Sequence, residues 1–313
     1  MKAGSVYKRR RGSSRLTAIS VPIEAVFHLI LGVFALMCII PFIFCIIISF
    51  SSEQSIRTIG FSFIPQTWSL EGYKYVFDTG RQLWLSYFNS IFVSVFGTAL
   101  SMLVCVMFSY ALFRKDFKYR TFFTFFSFFT MMFSGGLAPT YEISKSLLGL
   151  SDNYAALIVP LLVNPFNIIV MRTFFKSSVP DAIIESASID GSGEYSTLFK
   201  IVFPISIPGI ATVSLLTILA YWNDWYQALL YINNSRYYPL QFLLWRMQSE
   251  VDFLAQNAGK GGLNAQVATI AANLPQQSLR MALVILIVIP IAFAYPFFQR
   301  YVVSGLTVGA VKE

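Results

Sequence analysis

Long apolar runs alternate with short polar stretches along nearly the whole chain. Six runs meet or approach the roughly 20 residues that a helix needs to cross a bilayer core. They cover 24–50, 84–113, 121–136, 154–175, 203–232 and 279–298. Pro41 predicts a kink in the first run, and the third is dense in Phe and closes at Gly135 and Gly136. The fourth carries Pro160, Asn164, Pro165 and Asn167. Between the runs lie an exposed loop at 51–82 with a short helix near 70–77, a basic turn at 114–120, and a connection at 139–153. The longest polar connection is 233–277, which ends in a Gly- and Ala-rich stretch. The pattern predicts an all-α membrane protein with six transmembrane helices.

One segment, 179–208, has a different pattern, being charged and punctuated by Gly between two apolar runs. Pro180 fits the first turn of a helix, where its missing N–H costs nothing, with Ser178 or Val179 as cap. Asp181 adds negative charge beside the free N–H groups of that turn. Ile183, Ile184 and Ala187 share one face, and Glu185, Ser186 and Ser188 fall elsewhere. Gly191, after Asp190, suits the left-handed position that ends a helix. A second helical pattern runs through Tyr195, Leu198, Phe199 and Val202 until Pro204 and Pro208 break or kink it.

Composition agrees with the pattern. The 313 residues are 56% hydrophobic and only 12% charged, about half the charged share of a soluble domain. A net charge of +8 could suggest nucleic acid. The charge lies instead in short clusters beside apolar runs, as for lipid head groups and topology, so no nucleic-acid partner is expected. An even number of spans puts both termini on one side. Most of the 23 Lys and Arg fall in the termini, the turn 114–120 and the island, which predicts that these are cytoplasmic. The expected division is a basic tail at 1–20, a six-span domain at 21–303 and a C-terminal tail at 304–313.

Catalytic chemistry finds little support. Cys38, Cys45 and Cys105 sit inside apolar runs without ligand spacing and read as small buried hydrophobes. The one histidine, His28, makes neither a metal site nor a catalytic set. Gly305 to Lys312 mimics a phosphate loop, but no Ser or Thr follows the Lys and no strand precedes it. Polar residues inside spans are more informative, because they are costly in lipid and face a cavity or another helix. Asn164 and Asn167 share a face that Met171 continues; the pair suits helix–helix packing first and a substrate path second. Asn223 and Asp224 lie among Tyr221, Trp222, Trp225 and Tyr226. These aromatics fit either an interfacial belt or stacking on sugar rings, and both readings stand at this point.

Glu185, Ala187, Asp190 and Gly191, with Pro204 and Pro208 downstream, resemble the EAA loop of ABC importer permeases. Ser186 replaces the first Ala of that motif, and Ser192 stands where Ala is common; both keep the site small. The run from Tyr295 to Glu313 is similar to the C-terminus of carbohydrate-type ABC permeases, the group of the smaller maltose-importer permease. Phe133–Tyr141 and Tyr238–Gln241 resemble the branch that imports oligosaccharides or polysaccharide fragments in Gram-positive bacteria.

The resemblance implies a cytoplasmic coupling helix at Glu185, Ala187, Asp190 and Gly191, and tail residues Gly305, Leu306 and Gly309 at the ATPase. It implies a plasma-membrane subunit that pairs with a homologous permease, a cytoplasmic ATPase dimer and an extracellular solute-binding lipoprotein. ATP and Mg would lie on the ATPase, and this chain would bind no cofactor. An ion-coupled sugar transporter, a membrane-anchored receptor or scaffold, and an ABC permease for a non-sugar solute are the alternatives. The first lacks a proton relay beyond Asp224 and leaves the island unexplained.

Overall fold

The computed structural model describes residues 21–257 and 275–310, and among them there is no strand. Helix α1 (Val21–Ser49) keeps Pro41 inside without breaking. Its spanning window has none of its residues buried. A helix apolar on all sides can stand this way only against lipid or another subunit. Short helices α2 (Glu53–Ile59) and α3 (Glu71–Phe77) fold the connection that follows. The expected helix near 70–77 is α3.

Helix α4 (Arg81–Phe113) has 33 residues, about 50 Å of rise, and is the axis of the molecule. Its buried stripe of Ser86, Asn89, Ser90, Ser94, Gly97, Thr98, Ser101 and Ser109 is small and polar, which lets neighbouring helices approach closely. At Gly97 an added Cβ would lie 2.8 Å from the Tyr221 ring.

The remaining runs are broken. Helix α5 (Arg120–Met132) has 13 residues, about 20 Å, too short to cross alone. It turns by 113° into α6 (Leu137–Glu142) and a π-helical turn, Ile143–Leu147. The apolar run expected at 121–136 is therefore helical only as far as Met132, and 137–147, expected as a connection, is helical as well. Gly136, at φ +84°, makes the corner. Helix α7 (Tyr154–Ile158), a 3-10 turn (Val159–Leu161) and α8 (Pro165–Ser178) form a second pair bent by 52°. Pro165 starts α8 and holds Asn164 extended, at φ −108° and ψ 110°. The freed Leu162 carbonyl accepts from Ser101 Oγ at 2.7 Å, and the Ile158 carbonyl accepts from the Tyr221 hydroxyl at 3.0 Å. Such partners are what make a broken helix tolerable at membrane depth.

Helix α9 (Asp181–Ile189) comes next. Pro180 sits one position earlier than expected, at the N-cap, with extended ψ of 141°, so Asp181 opens the helix. Helix α10 (Glu194–Ser196), a π-helical stretch (Thr197–Val202) and α11 (Phe203–Ile205) follow. They meet α12 (Ile207–Trp222) at 84° across Ser206, just before Pro208. By length and composition, three helices among the described residues can cross a membrane, or up to six segments if each bent pair is one span.

Helix α13 (Tyr226–Tyr231) leads to α14 (Leu240–Asn257). The polar connection expected at 233–277 is thus largely helical where it is described. Leu240, Leu243, Leu244, Met247 and Val251 bury one face of α14 against Leu83, Leu279 and Leu283. That three- and four-residue spacing was present in the sequence but was masked by the polar residues around it. Helix α15 (Gln276–Ala310) closes the fold. No backbone break marks the expected boundary at 303, and Gly305, Leu306 and Gly309 lie within this helix. The tail at 1–20 and residues 311–313 lie outside the described residues.

The long helices give the molecule two ends. At one, the basic corner 114–120 meets the residues after α8. At the other, Glu53 Oε2 accepts from the N–H groups of Gln277 and Ser278 at 3.0 and 3.3 Å, satisfying donors at the start of α15. There too Asp152, at φ +50°, accepts from the N–H groups of Asn233 and Asn234 at 2.6 and 2.7 Å. The Asn234 and Asn233 N–H groups hold the Asp152 carboxyl below its ordinary value.

Candidate functional site

The island folds as its residues dictate. Ala187 is buried and Ile183 and Ile184 are half-buried, whereas Glu185, Ser186, Ser188, Ile189 and Asp190 are exposed. Ile189 is 86% exposed and Tyr195 is 71% exposed, so two large apolar groups project from the molecule. Gly191, at φ +75°, ends α9. Its N–H bonds the Ser188 carbonyl at 3.1 Å, and the Ser192 N–H bonds the Ala187 carbonyl at 2.9 Å. This pair of bonds is the Schellman closure that a left-handed residue permits.

Open space surrounds Gly191, so only backbone conformation opposes a side chain there. Gly191→Val should cost about 1–2 kcal/mol locally. It should swing α10 and raise amide exchange across 186–196, with thermal stability of the whole chain little changed. Unaltered exchange in the Val variant would show that the turn does not depend on Gly.

Two ion pairs fasten the island to the corner after α4. Lys115 Nζ meets Asp181 at 2.6 Å, and an Arg114 Nη atom meets Glu194 Oε1 at 2.7 Å and Asp116 at 3.0 Å. The Tyr110 hydroxyl donates to Glu194 Oε2 at 2.7 Å. Sequence reading singled out neither Glu194 nor Tyr110. Pairing across so long a separation has no local signal. A hint is that Asp181 and Glu194 each open a helix.

The polar residues of the spans separate. Asn164 is exposed and caps α8, its Oδ1 accepting from the Phe166 and Asn167 N–H groups at 3.0 and 3.4 Å. Asn167 is only 7% exposed and donates to Thr217 on α12 at 3.1 Å. Met171 is fully buried with Ile168 and Phe175, facing protein and no open path. Tyr221 and Trp222 also pack inside: the Tyr221 hydroxyl is on the Ile158 carbonyl, and Trp222 lies in the core under α14. Tyr221 is thus held by packing, whereas Trp222, though buried, also borders an apolar cavity of about 470 Å³ between α4, α12 and α15.

Asn223, Asp224 and Trp225 sit in the gap between α12 and α13, at the end away from the island. Asn223 is exposed, and its Oδ1 lies 3.4 Å from Gln241 Nε2. Asp224 Oδ1 is 3.4 Å from the Gln227 N–H. Trp225 stacks on Trp245 at 5.0 Å, and Trp245 stacks on Phe242 at 5.8 Å. One face of Trp225 is thus taken by α14, a partner that sequence reading did not supply.

The break at 133–136, a span end by its sequence, leaves Phe133, Ser134, Gly135 and Gly136 exposed between two helices. The Asn164 cap is likewise exposed beside Val163 and Phe166. Irregular backbone at membrane depth is tolerated only against protein or water. Among the described residues, no cluster of His, Cys, Asp and Glu could hold a metal.

No family model matches the chain. It is 39% identical over 279 residues to the polygalacturonan/rhamnogalacturonan transport system permease protein YtcP of Bacillus subtilis, covering 89% of this chain and 94% of that one. It is 28% identical to the arabinooligosaccharides transport system permease protein AraQ of Halalkalibacterium halodurans, over 89% of this chain and 92% of that one. A subunit of a crystallised bacterial ABC transporter involved in import of the acidic polysaccharide alginate superposes with a TM-score of 0.70. The two are 29% identical, with 90% and 96% of the chains covered. The helical architecture and these likenesses place the chain in the family of ABC transport system permeases for sugars and oligosaccharides, membrane subunits that are not themselves enzymes.

Proposed function

We propose that the chain is the permease subunit of an ATP-driven importer that moves an oligosaccharide, or a polysaccharide fragment, delivered by an extracellular binding protein. The carrying observation is α9, a short helix that shows Glu185, Ile189 and Asp190 outward at the basic end of a membrane protein. In this reading the bent pairs complete six spans, and the island, the basic corner and both termini are cytoplasmic. The positive-inside bias supports that orientation.

The island docks on an ATPase dimer, near which Gly305, Leu306 and Gly309 also lie. ATP and Mg belong to that dimer, and a homologous permease covers part of the apolar surface, including α1; lipid covers the rest. The sugar path runs past the breaks at 133–136 and 162–164 and past Asn223, Asp224 and Trp225. ATP binding closes the ATPase, the island follows, and the path opens outward. The plasma membrane of a Gram-positive bacterium is the proposed setting. The substrates named for the relatives are polymers or oligomers of sugars, several of them acidic, and they set the trial panel.

The test is uptake by membrane vesicles holding the full complex, using oligomers of galacturonate, rhamnogalacturonan, arabinose and glucose. ATP-dependent uptake of at least one oligomer is expected, and it should vanish when the Walker lysine of the ATPase is replaced. Sugar uptake that persists without the ATPase would refute the proposal.

A further inference from the structure

Both ends of α4 are fastened to elements outside the helix. At the far end, Asn89 Nδ2 donates to the carbonyls of Arg236 and Tyr238 at 2.8 and 3.0 Å. Ser90 Oγ accepts from the Leu240 N–H at 2.7 Å. These contacts hold the segment that begins α14. At the basic end, consecutive residues Arg114 and Lys115 pair with Glu194 and Asp181, the first residues of α10 and α9. Tyr110, one turn earlier, adds a second contact to Glu194. A cavity of about 410 Å³ opens beside Tyr110, Arg114, Glu194 and Leu198. Tyr110, Leu112, Val179 and Leu198 share one buried apolar cluster beside that cavity, and the charged contacts add direction to the joint. The Arg114 side chain is only 14% exposed and Glu194 61%, so solvent screens the pair from one side only.

We propose that α4 is a rigid strut between the far-end segment 235–240 and the ATPase-docking element, with Tyr110, Arg114 and Lys115 as the positioning residues that clamp Asp181 and Glu194. An unbroken helix transmits displacement along its axis, whereas each bent pair can absorb it at its corner. The clamp grips the helices on both sides of the Gly191 turn, so motion of α4 moves α9 and α10 as one unit. The proposal rests on the docking role given to α9 above, and it assigns to the clamp the transfer of motion, not the docking contact.

The test uses the reconstituted complex with loaded binding protein. It measures ATPase copurification and sugar moved per ATP for Arg114→Glu, Glu194→Arg, the double exchange and Tyr110→Phe. Each single reversal should keep the ATPase bound yet lower sugar per ATP about tenfold, as loss of a charge-assisted contact would. The double exchange should recover about threefold over either single reversal but not fully, because Asp116 and the Tyr110 hydroxyl still suit the natural order of charges. Tyr110→Phe, which keeps the ring and removes one donor, should lose about threefold. An unchanged ratio in the reversals and in Tyr110→Phe overturns the strut, as does a double exchange no better than the singles. Glu185→Lys, run alongside, separates the two ideas. If it retains the ATPase, the docking role fails; if it loses the ATPase while the reversals change nothing, only the strut fails.

Discussion

Glu185→Lys should release the ATPase and abolish sugar uptake while the chain still folds and inserts normally. Glu185 is exposed on α9, and no side-chain partner holds it among the described residues. Replacing such a residue changes the stability of the chain itself by within about 0.5 kcal/mol. A large functional loss must then arise where the helix meets another surface. A carboxylate desolvated at a docking surface and replaced by a cation loses several kcal/mol, about a hundredfold or more in affinity. Glu185→Gln should lie between, since the amide keeps shape and one acceptor. The measurements are ATPase retained through purification and ATP-driven uptake, with melting temperature as the control. Full uptake by the Lys variant would show that α9 does not dock through this face.

The second large effect concerns stability. Asn89 has no exposed surface and all of its main bonding capacity is used. It donates to two carbonyls of the 235–240 segment and accepts from the Tyr154 hydroxyl at 2.9 Å. Asn89→Leu fills a similar volume but deprives the buried Tyr238 carbonyl and the part-buried Arg236 carbonyl and Tyr154 hydroxyl of their partner, at a cost on the order of 2–4 kcal/mol. Tyr154→Phe removes only one of the contacts and should cost about 1 kcal/mol. Thermal unfolding in detergent should rank the natural chain, Tyr154→Phe and Asn89→Leu in that order. Equal stability of the Leu variant would mean that these groups find other partners. Because the same side chain anchors the start of α14, uptake should fall with stability.

Much of the architecture was legible in the linear pattern. The apolar runs located α1, α4 and α15, because only a helix satisfies its own backbone in lipid. The Asp190–Gly191 pair marked the end of α9, since the left-handed position that closes it disfavours a Cβ. Ile183, Ile184 and Ala187 marked its inward face by spacing alone. These are local properties, set within a few residues, and local properties are what a sequence displays.

What the tertiary structure decided is how distant groups meet. Hydropathy averages over a window, so it cannot tell a straight span from α5 and α6 bent by 113°. Whether a helix breaks there depends on what receives its freed carbonyls, as Ser101 does for Leu162 in the next pair. Tyr221 and Trp222 have the chemistry to stack on a sugar, yet Tyr221 packs against Gly97 and Trp222 lies partly under α14. The clamp of Tyr110, Arg114 and Lys115 on Asp181 and Glu194 joins residues far apart in the chain. Sequence determines which charges exist and which helix ends attract them. Only the packing of α4 against the island brings opposite charges within bonding distance, because contact energy depends on separation in space and sequence order does not encode it.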